Sequence, residues 1–80
     1  MTDLLSGVDL PRTFVLYRKV DDSGVSGTGV VCWGVEFPDG KVVTRWCVEG
    51  HNAQTAVFDS IADVEDIHGH NGHTVILWNN

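Results

Sequence analysis

Two arginines set in strand-forming surroundings, a loop of glycines and hydroxyls, and a run of closely spaced histidines are the parts of this sequence whose residue types suit chemistry. Arg18 follows Phe14-Val-Leu-Tyr, and Arg45 stands among Val43, Trp46, Cys47 and Val48. A guanidinium in such apolar company is costly to desolvate unless it meets an anion. One reading is an internal ion pair of Arg45 with Glu36 or Glu49. The sharper one is a fork from Arg18 and Arg45 toward a phosphate or carboxylate ligand. Residues 21–29, Asp-Asp-Ser-Gly-Val-Ser-Gly-Thr-Gly, are too long for a simple hairpin turn. Their glycines let backbone approach a ligand, and Ser26, Gly27 and Thr28 offer hydroxyls and free N–H groups to oxyanions. No helix start and no lysine follows, so the loop is neither a Walker loop nor a dinucleotide fingerprint. Trp33 and Trp46 read first as core, and either could stack on a base or ring.

His68, His70 and His73, with His51, supply four imidazoles. The run 68–73 also reads as a helix end followed by an Asn-Gly turn. It contains no HExxH or paired CxxC spacing, so no metal site is assigned. His70 is kept as a polar contact for a ligand. Cys32 and Cys47 lie mid-strand, where cysteine is ordinarily inert packing. Asp21 and Asp22 read as solvated turn formers, and no nucleophile elbow is present. These residues point to a protein that is not an enzyme, with no catalytic residue and no cofactor.

The chain has 80 residues, enough for one domain that buries about 60% of its unfolded surface. A core so small leaves little room for an enclosed cavity and makes a homo-oligomer the expected state. Five basic against eleven acidic residues give a formal charge of −6, which argues against nucleic acid as a partner. Two cysteines are too few for a disulfide scaffold, and no long apolar run suggests a membrane segment. A cytoplasmic protein is expected.

The elements that must position these residues are legible from period and turn chemistry. Residues 1–12 read as an N-terminal arm and 13–80 as a single domain. Thr13 to Lys19 forms a first strand, with Phe14, Leu16 and Arg18 on one face and Val15, Tyr17 and Lys19 on the other. Strands over 30–37 and 41–49 are joined at Pro38-Asp39-Gly40. A two-residue turn would set Cys32 opposite Cys47. A type I turn closed by a glycine bulge would set Phe37 opposite Lys41 and send the cysteines to opposite faces, and proline at the second turn position favours it. That register makes both faces apolar, so a helix must cover one and a partner or a curled sheet the other. A short strand over 55–58 precedes a helix capped by Ser60-Ile-Ala-Asp63, with Ile61, Val64 and Ile67 in its apolar stripe. Residues 74–78 are the last strand. The fold class is α+β: a mostly antiparallel sheet in the order β-β-β-β-α-β with one short helix.

The strings Phe14-Val-Leu-Tyr-Arg18, Gly24-Val-Ser-Gly-Thr-Gly29, Gly34-Val-Glu-Phe37 with Asp39-Gly40, Arg45-Trp46, and Ile67-His-Gly-His70 with Gly72 resemble a group of small proteins of phages and prophages. The resemblance covers residues 13–78 and includes no motif that fixes an activity. It implies a protein that acts in the host cytoplasm on host physiology or defence. Joined to the residue reading, it leads to a non-enzymatic binding protein for an anionic small molecule, nucleotide-derived and serving as an antiviral signal. Arg18, Ser26, Gly27, Thr28, Arg45 and His70 would hold its polar groups, with Trp33 or Trp46 stacking. The alternative is a protein–protein inhibitor of a host enzyme acting through the acidic surface or a sheet edge. A small metal-dependent hydrolase ranks third.

Overall fold

The structure is a computed structural model describing residues 7–20, 27–48, 53–69 and 72–79. Its elements are β1 (Arg12–Arg18), β2 (Gly29–Glu36), β3 (Val42–Trp46), β4 (Thr55–Phe58), α1 (Ile61–His68) and β5 (Thr74–Trp78). The strands form one five-stranded sheet in the order β4-β3-β2-β1-β5, every neighbour antiparallel. This is the α+β order read from the sequence. The third strand runs to Trp46, short of the expected residue 49, and the Cys47 N–H adds one further rung in the same register by donating to the Val31 carbonyl (3.0 Å).

The turn between β2 and β3 takes the bulged register. The Phe37 N–H donates to the Lys41 carbonyl at 2.8 Å, and the Gly40 N–H donates back to the Phe37 carbonyl at 2.9 Å. Gly40 has φ +94°, a conformation that glycine adopts without a Cβ clash. Glu36 therefore opposes Val42 and Cys32 opposes Trp46, so the cysteines are not a cross-strand pair, and both are free thiols. A second irregularity, between Leu16 and Tyr17, shifts the β1–β2 register so that Leu16 faces Cys32 while Tyr17 faces Val30. Val31 is the extra residue, and it is buried beside Cys32.

Period-2 alternation gives the sheet two faces. The inner face carries Phe14 and Leu16 of β1, Cys32 of β2 and Val42 of β3, and Val64 of α1 closes this core with no exposed surface. The helix starts where the sequence indicates: the Ser60 hydroxyl accepts from the Asp63 N–H at 3.3 Å, which satisfies one orphan donor of the first turn. Gly69 ends α1 in right-handed geometry, its N–H bonded to the Glu65 carbonyl. The reversal that follows uses Gly72 at φ +87°. α1 connects one edge strand to the other, touching both β4 and β5. At 8 residues it is only about 12 Å long.

Packing between β1 and β2 leaves no slack at Gly34. The Phe14 ring occupies the position that a Cβ on residue 34 would take, and its edge meets Trp78 with centroids 5.1 Å apart. Gly34→Ala is expected to overpack this contact and lower stability by about 1–3 kcal/mol, read as a fall in the urea midpoint at unchanged slope. An unchanged midpoint would mean that the ring shifts freely.

Candidate functional site: an arginine–aromatic cluster at the loop-bearing end of the sheet

Arg18, Gly29, Trp46, Thr55 and Thr74 are the strand-terminal residues at one end of the sheet. The connections at this end carry the glycine-rich segment and the histidine run, so the fold gathers the chemistry there. Arg18 lies on the inner face because it shares parity with Phe14 and Leu16, and only 8% of it is exposed. Its guanidinium stands 5.4 Å from the centre of the Trp46 ring. Trp46 in turn lies 6.5 Å from the His68 ring, and His68 meets Phe58 edge-on at 6.0 Å. The result is a line of one cation and three rings across the inner face. Cross-strand from Arg18 is Thr74, whose buried hydroxyl has no hydrogen-bond partner among the described residues.

The two ion pairs among the described residues lie at the opposite end or on the rim: Arg12–Glu36 at 2.7 Å and Lys41–Asp59 at 3.0 Å. Arg12 also stacks over Trp78 at 4.0 Å, closing the far end of the inner face. Arg18 makes no such pair among the described residues. A guanidinium on a residue this buried, over the π-face of one tryptophan, is an attractor for an anion with planar or tetrahedral oxygens.

Of the residues singled out in the sequence, Arg18 and Trp46 are brought together. Gly27 and Thr28 are exposed and lead directly into Gly29, the cross-strand partner of Arg18. Trp33 and Arg45 pair with each other on the outer face, where both are exposed. Ser26 and His70 lie outside the described residues. The expectation that Arg45 is desolvated and needs Glu36 or Glu49 is corrected: its parity turns it to solvent, its Nη1 donates to the Thr55 hydroxyl at 2.8 Å, and Glu36 is taken by Arg12. A single fork of Arg18 and Arg45 is not formed within one chain, because the sheet separates them. Glu49 lies outside the described residues.

His68 and Thr74 join the cluster without having been singled out as ligand contacts. His68 has the spacing of a helix-capping residue, which masks its stacking on Trp46. Thr74 reads only as the first residue of a strand. Thr74 also lines a groove of about 640 Å³ between α1 and β5, which Glu65 and Asp66 border, so an anion is favoured at the Arg18 side and disfavoured along this groove. Among the described residues no three His, Cys, Asp or Glu side chains gather as a metal site.

The thiols beside the cluster are poor nucleophiles. Burial pushes Cys32 up from its ordinary 9.0, and nearby Cys47 adds to this, while contacts with Thr44 and the Arg45 backbone pull the other way. Burial raises Cys47 as well. Because the folded thiols hold their protons above the pKa of the unfolded chain, their contribution to stability is complete below about pH 9 and is lost as pH rises beyond it. Chemical denaturation between pH 8 and 10.5 is expected to show this decline in the native protein and a flatter profile in Cys32→Val. An equal slope in both would assign the loss to other groups.

The fold and cluster define a class: a small α+β domain with a single-helix cover and a basic–aromatic site at one end of the sheet. Residues 11–80 match the Acb5 phage protein family, and the chain belongs to it. No curated protein and no solved structure matches the chain. No helix among the described residues is long and apolar enough to cross a membrane.

Proposed function

We propose that this phage protein captures an anionic small molecule, a nucleotide-derived signal of host antiviral defence, in the host cytoplasm, and acts by sequestering it without catalysis. The observation that carries the reading is Arg18: a residue only 8% exposed, its guanidinium over the Trp46 ring, with no carboxylate partner among the described residues. Burying a cation is unfavourable unless an anion or dipole compensates, and a phosphate at this place would do so. Thr74 supplies a hydroxyl donor beside it, and Trp46 and His68 offer ring faces for a base. Gly27 and Thr28, which lead into Gly29 opposite Arg18, add polar contacts from the glycine-rich segment. Arg45 and Trp33 drop out of this site because they face the other way.

The test is tryptophan fluorescence and calorimetric titration with inorganic phosphate, nucleoside mono- and diphosphates, and linear and cyclic dinucleotides, followed by chromatography of the recovered ligand. Arg18→Ala is expected to weaken binding about 10–100-fold, the value of a lost charge-assisted contact of about 1.5–3 kcal/mol. Arg45→Ala is expected to change it less than threefold. Failure of every probe to bind, or equal losses in both variants, would overturn the site. A recovered ligand that has been cleaved would replace sequestration with catalysis at the same cluster.

A further inference from the structure

The sheet has a second apolar face, and none of the described residues packs over it. Val15, Trp33, Val35, Val43, Val57 and Leu77 project from all five strands on the side away from α1. Trp33 is 57% exposed, Val57 69% and Leu77 47%. A small core of six fully buried apolar residues lies on the other side, so a large share of the chain's apolar surface is left toward water. We infer that this outer face is the interface of a symmetric homodimer, two copies packing sheet on sheet through it.

Three observations select a second copy of this chain as the occupant. The first is charge. In a protein of net charge −6, the strand residues of this face include one cation, Arg45, and no carboxylate, whereas Asp63, Glu65 and Asp66 ride on the exposed side of α1. A basic partner would be drawn to the helix side. The outer face is where two equally acidic copies meet with the least repulsion. The second is the position of Trp33, on the middle strand of the order β4-β3-β2-β1-β5 and at the centre of the patch, where interfaces concentrate their binding energy in large aromatics. A two-fold axis near Trp33 makes the face complementary to itself. The third is size. Strands about 20 Å long, spaced about 4.8 Å apart, give a flat area of roughly 400–500 Å² per copy. Two copies together, with side-chain relief, reach the roughly 1,000 Å² that a specific interface requires. Sheets stacked about 10 Å apart would bury Trp33, Val35 and Val15 against their symmetry mates and leave Arg45 and Thr55 at the rim. The Arg18 cluster, on the other face, stays open in each copy, so dimerisation and ligand capture are separable.

Sedimentation equilibrium of the full chain over micromolar to millimolar concentration tests the inference. The wild type is expected at twice the chain mass. Trp33→Lys and Leu77→Lys, both exposed in the single chain, are expected to sediment as monomers with unchanged far-UV circular dichroism, while Ile67→Lys, an exposed apolar position on α1, stays dimeric. A monomeric wild type would overturn the proposal. So would a dimer that survives both outer-face substitutions, since it would use another surface. Binding by monomeric Trp33→Lys at wild-type affinity would leave the Arg18 reading standing by itself.

Discussion

Phe14 lying over Gly34 is the contact on which the sheet depends. A glycine in a buried strand ordinarily weakens it, since no side chain packs there. Here the missing Cβ is the space that the ring fills, and the ring then meets Trp78 of β5 edge-on. One side chain thus ties β2, β1 and β5 together. Arg12 extends the stack by lying over Trp78 and pairing with Glu36, which draws the same three strands together at that end. With this end fixed, strict alternation along β1 delivers Leu16 to the core and Arg18 to the inner face at the other end.

The fold is an economy of one short helix and two apolar sheet faces. The connection from β4 to β5 must cross the sheet from one edge to the other, and α1 lies on that path, so the inner face receives the helix. Val64 has no exposed surface, while Asp63, Glu65 and Asp66 are turned to solvent. Charge is thereby segregated: the acids concentrate over the helix side, and the strand residues of the outer face are nearly neutral. This asymmetry follows from amphipathic pattern alone once the helix's side is chosen.

The cluster at the loop-bearing end owes its geometry to one departure from a regular ladder and to the parity of β3. Val31 is an extra residue in β2, and it shifts the pairing so that Arg18 faces Gly29, a residue at φ +98° with no side chain to crowd the guanidinium. Trp46 shares the parity of the buried Val42 and Thr44, which sets its ring on the inner face, where it meets both Arg18 and His68. A buried cation is retained in a fold this small at a cost in stability. Its stacking on Trp46 offsets part of that cost, and an anionic ligand would offset more.

The order of elements, the helix from Ile61 under its Ser60 cap, the faces of β1 and the bulged turn at Phe37-Pro38-Asp39-Gly40 are all legible in the sequence. Each rests on local chemistry: alternation, a capping hydroxyl, a proline-fixed φ and a glycine at positive φ. Residues 18 and 46 were legible as chemically loaded for the same reason, a polar or aromatic group in a strand pattern. That Arg18 and Arg45 lie on opposite faces is a tertiary fact, since it follows from the pairing of Phe14 with Gly34 and of Gly34 with Thr44, which local pattern does not set. Both arginines stand beside apolar residues in the sequence, yet one is buried on a tryptophan and the other donates to a threonine in solvent. The partners of Glu36, the stacking of His68 and the isolation of the Thr74 hydroxyl are likewise long-range facts, set by which strands become neighbours and which side the helix takes.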